Sequence, residues 1–319
     1  QAVPINEAEL TSPWITGRPR ALTAARRTIG ESAYQAREGA NPGGAIGVYW
    51  VRVLERRADG LLVVENLAEL GKRKVPKVQA AIEPDLVYPL LRWADARRWV
   101  ASPSAYIIMA QDPVRRAGYE ERWMKQCLPH TYGYLRQFKG SLQQRRLYQT
   151  YYDKTAPFYS MYNIGPYTLA SHKVLWRRMG TRITAAVASA AADSFVGEKP
   201  PIPQETITFV PLPEEAPAHF ICALMNSTVV NLVAKSYSVG KSFGSAHLMG
   251  YINVPQYDLY NPLHCQLSAL SQRAHELAAK GQKEALKEVE EQIDRKAAEL
   301  WGITKADLKE IKRSLEELG

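Results

Sequence analysis

The strongest constraint on the fold is a change of composition at residue 263. From there to residue 319 the chain has no proline and is rich in Ala, Glu, Lys, Leu and Gln. Apolar residues recur every three or four positions, at Leu267, Leu270, Ala274, Leu277, Leu286, Val289, Ile293 and Leu300. This spacing predicts two amphipathic helices. Gly302 then predicts a helix end, and Thr304 with Asp307 resembles a capping box that starts a third helix. We predict a helical appendage over residues 263–319.

The rest of the chain predicts an α+β fold. Short β-rich runs occupy residues 46–54, 61–66, 72–82, 106–109, 172–176, 182–189 and 206–210. Helical patterns interrupt them at residues 118–128, 131–148 and 216–236. The prediction is therefore a β-rich domain with interspersed helices over residues 31–262, followed by the helical segment. Residues 1–30 mix proline, glycine and arginine without periodicity and are expected to be a linker. Because Gln1 stands where an initiator Met would, we expect this linker to arrive from a region upstream.

Positive charge is concentrated in part of the sequence. Of 41 Lys and Arg and 32 Asp and Glu, residues 263–319 hold ten and eleven, which leaves 31 against 21 in residues 1–262. Residues 121–180 alone hold ten Lys and Arg and two acids, together with eight of the 17 tyrosines. Cations interleaved with aromatic rings are typical of a groove that contacts phosphates. The alternative, to which we give equal weight, is a solvated face above a tyrosine-rich core.

Motifs for catalysis are missing from the sequence. There is no Asp/Asn/Ser-Pro-Pro-aromatic tetrapeptide, no complete phosphate-binding loop and no His/Cys spacing typical of a metal site. The three cysteines lie far apart and form no C-x-x-C pair, which favours reduced thiols and a cytoplasmic location. The chain also lacks an apolar run long enough to span a membrane. We therefore expect a binding protein with no catalytic residue, no cofactor and no metal of its own.

Five phrases of the sequence, taken in order, resemble one family. They lie at residues 38–51, 82–99, 157–177, 222–230 and 299–308, and they include Asp85-Leu-Val-Tyr-Pro-Leu-Leu-Arg92 and Glu299-Leu-Trp-Gly-Ile-Thr304. Together they resemble the C-terminal target-recognition region of bacterial adenine-specific DNA methyltransferases and restriction-modification fusion enzymes. The sequence departs from that family's pattern at Trp93, where the family has glycine after the arginine. The loop at this point is therefore expected to differ.

The resemblance implies a function that the residues alone do not show. It implies a DNA-binding specificity module that selects the target for an adenine-specific, S-adenosylmethionine-dependent methyltransferase of a bacterial defence system. The methyltransferase domain, in cis or in trans, would hold the S-adenosylmethionine and would act on an adenine flipped from double-stranded DNA. Whether the parent protein also cleaves DNA stays open. The alternative is a protein-interaction or assembly subunit that reads no bases.

Candidate DNA contacts follow from residue type and position. Arginine and lysine contact phosphates and guanine edges, while tyrosine supplies hydroxyl contacts and flat packing surfaces. The predicted contacts are Arg92, Lys139, Arg145, Arg146, Tyr162, Lys173, Arg177 and Lys241. Four tryptophans, Trp50, Trp93, Trp99 and Trp176, are expected in the core.

Overall fold

A computed structural model describes residues 1–4, 14–152, 155–237 and 244–318 of the chain. The strands in these ranges are β1 Ala2–Pro4, β2 Trp14–Thr16, β3 Arg37–Glu38, β4 Trp50–Arg56, β5 Leu62–Asn66, β6 Gln79–Ile82, β7 Val87–Leu91, β8 Ala96–Arg97, β9 Val100–Ala101, β10 Ala105–Ile108, β11 Gln111–Asp112, β12 Ala117–Gly118, β13 His172–Arg177, β14 Ala186–Ser189, β15 Ala191–Asp193, β16 Gly197–Lys199, β17 Ile202–Pro203 and β18 Ile207–Leu212.

The helices complete the α+β fold that the sequence predicts. They are α1 Pro19–Ala25, α2 Ile46–Tyr49, α3 Glu121–Cys127, α4 Pro129–Arg136, α5 Lys139–Gln143, α6 Arg146–Tyr151, α7 Glu215–Asn226, α8 Thr228–Tyr237, α9 Pro262–Ala279, α10 Lys283–Leu300 and α11 Lys305–Glu317. The prediction of a mixed fold with C-terminal helices is confirmed.

A six-stranded sheet organises the first of two large hydrophobic cores. Its strand order is β17-β7-β10-β4-β5-β6, and each pair is antiparallel except β17 with β7. The β4–β5 hairpin turns through Gly60, whose φ of +87° is left-handed and costs glycine little. Helix α4 packs against β6 and contributes the buried Tyr134 and Leu135. This sheet and α3–α5 form one core, which we call the sheet core.

The second core lies between a four-stranded sheet and the long helices. The order of this sheet is β14-β13-β18-β3, and all of its pairs are antiparallel. Helix α7 packs on β13 and against α9, and α10 packs against α9. The Asp294 carboxylate of α10 accepts hydrogen bonds from the backbone N–H and hydroxyl of Thr228 at the start of α8, and it pairs with Lys312 of α11. One carboxylate thus joins three helices of this second core, which we call the helical core.

The C-terminal helices begin and end where their sequence signals lie. Gly302 has a φ of +64° after α10, and the Thr304 hydroxyl accepts a hydrogen bond from the backbone N–H of Asp307 at the start of α11. Buried residues of α9–α11, including Leu267 and Ile293, belong to the same core as α7 and β13. The segment predicted as an appendage is therefore packed into the protein body.

The described part of the segment predicted as a linker contains a helix that packs against the helical core. Residues 19–25 form α1, in which Leu22 is buried and three alanines, Ala21, Ala24 and Ala25, belong to the helical core. Helix α1 packs against α11, where Arg18 pairs with Glu310 and Glu317 and Arg20 pairs with Asp307. Because alanine-rich turns give a weak periodic signal, this packing was not visible in the sequence.

Three predicted elements are subdivided in the structure. The helix expected over residues 216–236 is the pair α7 and α8, with a break at Ser227. The helix expected over residues 131–148 is three short helices, α4, α5 and α6, with breaks at Phe138 and Arg145. The strand expected from residue 46 starts as the single-turn helix α2 and becomes extended at Trp50.

No single helix in the described ranges is long and apolar enough to cross a bilayer. Only α7 and α8 together meet that length and composition test, with a bend of 60° between them. Most of their side chains are buried in the helical core.

Candidate nucleic-acid interface

Four tyrosines surround an open cleft on the sheet-core side of the molecule. The cleft has a volume of about 520 Å³. Its lining residues come from the loop after β3, the β11–β12 hairpin, α6 and the loop before β13: Asn41, Gln111, Arg116, Leu147, Tyr151, Tyr152, Met161, Tyr162, Asn163, Ile164 and Tyr167. We call this site the tyrosine cleft. Segments far apart in sequence thus meet here, as is usual for a binding site formed by loops on a rigid scaffold.

The side chain of Arg145 lies behind the wall of this cleft and links three backbone carbonyl groups. Its guanidinium is buried and donates to the carbonyl oxygens of Leu142 at 2.8 Å, Pro42 at 3.0 Å and Phe158 at 2.7 Å. The prediction that Arg145 contacts DNA is therefore corrected, because its donors are occupied and its side chain is 0% exposed. No local sequence pattern indicates that three carbonyl groups surround this cation.

Hydrogen bonds fix the floor of the cleft. The Gln111 side chain is buried, donates to the Tyr152 hydroxyl at 3.3 Å and accepts from the backbone N–H of Met161 at 2.9 Å. The Tyr152 hydroxyl in turn donates to the Met161 carbonyl at 2.5 Å. The amide nitrogen and the amide oxygen of Gln111 are therefore both committed to the structure, and the Tyr152 hydroxyl is held at the floor of the cleft.

Tyr162, a predicted DNA contact, forms the central wall. Its ring centroid lies 5.3 Å from that of Tyr152 and 6.2 Å from that of Tyr151, at angles of 46° and 64°. Its hydroxyl is buried and has no hydrogen-bond partner within the described part of the chain. Burial raises the pKa of Tyr162, so this hydroxyl stays protonated. Buried hydroxyls without a partner are uncommon and often mark a place where water or a ligand binds.

The β11–β12 hairpin forms one rim of the cleft. Its tip carries Val114, 78% exposed, followed by Arg115 and Arg116. The Asp112 carboxylate accepts from the backbone N–H groups of Val114 and Arg115 and so shapes the turn. Arg116 has a φ of +54°, is exposed, and forms no ion pair with the residues that the structure describes. The tip therefore presents one apolar side chain and one uncommitted cation to solvent.

A second groove of about 680 Å³ adjoins the tyrosine cleft and shares Tyr151 and Tyr152 with it. Lys139, a predicted DNA contact, lies in this groove, and its ammonium is 5.6 Å from the ring centroid of Phe158. Arg115 lies there too but pairs with Glu120 at 2.5 Å. Lys139 thus supplies an exposed cation to the groove that adjoins the tyrosine cleft.

A separate cationic point lies at the end of β13. The Arg177 guanidinium stacks on the Trp93 ring at 3.8 Å, and its Nε has no hydrogen-bond partner in the described ranges. Burial lowers the pKa of Arg177, and the positive charge of Arg97 lowers it further. Trp93, expected in the core, is 40% exposed; Trp50, Trp99 and Trp176 are buried as expected.

The remaining predicted contacts fall in different places. Arg92 pairs with Asp95 and donates to the Ser104 hydroxyl, so its charge is partly committed. Arg146 is exposed on α6. Lys173 is buried and donates to the Ala170 carbonyl at 2.6 Å, so its predicted DNA contact is corrected as well. Lys241 lies outside the described residues.

Sequence reasoning missed several residues of the cleft. Tyr151 and Tyr167 lie in the tyrosine-rich window but are not among the predicted contacts, and neither are Arg116 and Asn163. Both Arg116 and Asn163 have left-handed backbone angles, with φ values of +54°. Such angles are uncommon outside glycine and concentrate at functional sites. The turn sequence Asp112-Pro113 was a usable signal for the hairpin, whereas the position of Asn163 depends on tertiary structure.

Comparison with known proteins identifies a similar fold. Residues across 95% of this chain superpose, with a TM-score of 0.50 and 10% sequence identity, on the Type IIL restriction-modification enzyme MmeI, solved in complex with DNA. The matched part is 37% of that enzyme, so this chain spans well under half of its length. No family profile and no curated protein sequence matches the chain. Among the residues described, no three His, Cys, Asp or Glu side chains are grouped to hold a metal ion.

Proposed function

We propose that this chain is a double-stranded-DNA-binding module that selects the target sequence of a restriction-modification methyltransferase. The observation that carries the proposal is the tyrosine cleft with its cationic rim, on a fold shared with part of a restriction-modification enzyme that was solved with DNA. Exposed Arg116, Lys139 and Arg146, together with the half-buried Arg177, supply phosphate or base contacts. The exposed hairpin tip supplies an element narrow enough for a groove.

Methyl transfer belongs, in this proposal, to a separate domain joined in cis or acting in trans. That domain would bind S-adenosylmethionine and the flipped adenine, and this chain would hold it at the chosen site on DNA. This chain matches 37% of the restriction-modification enzyme, so a protein of that size has room for a separate methyltransferase domain.

The direct test is binding of this chain to labelled random duplex DNA at several salt concentrations. We expect log affinity to fall linearly with log salt, with a slope that reflects several phosphate contacts. Repeated selection should then enrich a defined sequence. Binding that does not depend on salt, or no binding with or without the methyltransferase partner, would overturn the proposal.

A second candidate function, protein assembly without base reading, has one observation in its favour. Leu259 and Tyr260 are 62% and 84% exposed just before α9, and the apolar side chains Ala269 and Leu270 line a groove between α9 and α10. Large exposed apolar residues in a cluster are typical of a protein contact. Under this function, selection would return no DNA sequence, and Tyr260→Ala would weaken complex formation while leaving weak DNA binding unchanged.

A further inference from the structure

We propose that the tyrosine cleft binds one unstacked nucleotide, with its base among Tyr151, Tyr152 and Tyr162 and its phosphate between Arg116 and Arg37. The proposal deepens the proposed DNA-binding function and rests on it, since it assigns a nucleotide site to the same surface. The shared chemistry is a nucleoside monophosphate unit. It is supplied either by a nucleotide displaced from bound DNA or by a free mononucleotide.

The aromatic walls suit a planar base. The volume of about 520 Å³ lies within the roughly 300–1,000 Å³ typical of small-molecule sites. The three tyrosine rings are splayed at 46° and 64° and do not stack on one another, which leaves ring faces open toward the cleft. Tyr151 is 71% exposed, a high value for an aromatic side chain at a wall. A base inserted against it would cover apolar surface and gain stacking energy.

Two amide side chains supply polar contacts at the cleft. The Asn41 Oδ1 accepts from the backbone N–H of Gly43 at 2.8 Å, which leaves its Nδ2 with no partner among the described residues. The Asn163 Nδ2 donates to the Glu38 carboxylate at 3.2 Å, which directs its Oδ1 to other donors. A free amide N–H and a free amide oxygen are the complement of a base edge that carries both an acceptor and a donor.

The cationic end of the cleft suits the phosphate. Arg37 lies over the Tyr167 ring, with its guanidinium carbon 5.1 Å from the ring centroid. Arg116 and Tyr167 line the same cleft, and the positive charges of Arg37 and Arg116 oppose the rise that burial causes in the pKa of Tyr167. Glu38, the acid next to Arg37 in sequence, is already paired with Arg178 at 3.0 Å. An anion at Tyr167 would therefore be attracted to two guanidinium groups.

The Tyr162 hydroxyl offers an independent indication. Because it is buried without a partner among the described residues, removing it by Tyr162→Phe should leave the free protein equally or more stable. If a bound nucleotide reaches this hydroxyl, the same variant should bind the nucleotide more weakly. If the Tyr162 hydroxyl had only a structural role, Tyr162→Phe would not weaken nucleotide binding while leaving the stability of the free protein equal or higher.

The test compares two labelled duplexes of one sequence, one fully paired and one with a single unpaired adenosine, by fluorescence anisotropy. We expect the protein to bind the bulged duplex about tenfold more tightly. Tyr151→Ala and Arg116→Gln should remove that preference. Tyr260→Ala, at an exposed tyrosine before α9, is the matched control and should keep it. Circular dichroism melting of each variant verifies that it is folded.

A second arm titrates deoxyadenosine monophosphate alone and follows tyrosine fluorescence. Binding that Tyr151→Ala and Arg116→Gln abolish, with no preference for the bulge, supports the site and assigns it to a free nucleotide. Absence of both responses overturns the inference, and the proposed function still stands if the paired duplex binds with the expected salt dependence. If no duplex binds, the proposed function is overturned instead. The titration with deoxyadenosine monophosphate then shows whether the tyrosine cleft binds a nucleotide.

Discussion

The guanidinium of Arg177 stacks on the ring of Trp93 at 3.8 Å, at the exposed end of strand β13. The ring packs against the planar cation, and the Nε of Arg177 is buried without a hydrogen-bond partner in the described ranges. Because Arg97 adds a second positive charge nearby, binding an anion here would also relieve repulsion between the two cations. This pair therefore gives the most direct test of phosphate contact.

We predict that Arg177→Gln lowers the affinity for duplex DNA at every sequence. The slope of log affinity against log salt should become shallower by about one, because one phosphate contact is lost. Trp93→Ala should lower the affinity less and leave the slope nearly unchanged. Arg273→Gln on α9 serves as the charge-matched control. An unchanged slope in Arg177→Gln would exclude a phosphate contact at this residue.

We predict the opposite pattern for Arg145→Met. Loss of three hydrogen bonds to buried carbonyl groups should lower the free energy of unfolding by about 3 kcal/mol or more. Arg145→Lys should restore only part of this, since an ammonium cannot reproduce the planar fork. Urea unfolding measures the loss. For the protein that remains folded, the salt slope of DNA binding should equal that of the wild type, and a shallower slope would show that Arg145 reaches phosphate after all.

We predict that burial of the Lys173 ammonium lowers the free energy of unfolding by an amount that depends on pH. Burial lowers the pKa of its ammonium from 10.5 to about 7 in the folded chain. Between these two values the unfolded chain binds more protons than the folded chain, so stability rises with pH across the window, and the cost is largest below about pH 7. Lys173→Met should therefore be more stable than the wild type by a few kcal/mol near pH 6.5, with a gap that shrinks toward pH 10. Urea unfolding at several pH values checks this; a constant gap would contradict it.

We predict that Val114→Ser changes sequence preference without changing stability. Val114 is 78% exposed at the hairpin tip, so the substitution should leave the melting temperature within a degree or two. An apolar tip in a groove favours contact with a thymine methyl group, and its loss should cost about 1 kcal/mol at one base position. Selection from random duplexes with both proteins makes the comparison. Identical selected sequences would show that the tip does not read bases.

The sequence allowed some elements to be predicted well and others not at all. The C-terminal helices are visible because repeated apolar spacing, Gly302 and Thr304 are local signals. The break of the predicted helix at Arg145 depends on tertiary structure, since two of the three carbonyl groups that bind this residue, those of Pro42 and Phe158, come from other segments. Similarly, charge alone gave Lys173 and Arg177 equal standing, while tertiary structure buries one and leaves the other partly exposed. The density of positive charge in the sequence indicates the cation-rich region. Which of its Lys and Arg side chains are exposed depends on the fold.

The division of the hydrophobic interior into two cores has a consequence for how such a protein can change over time. The tyrosine cleft and the hairpin tip are formed by loops beside the sheet core, whereas α7–α11 pack in the helical core. Mutations that alter the loops can therefore accumulate with little penalty to the helical half. A lineage could acquire a new binding preference by exchanging these loops, while the helices that hold the body together keep their sequence.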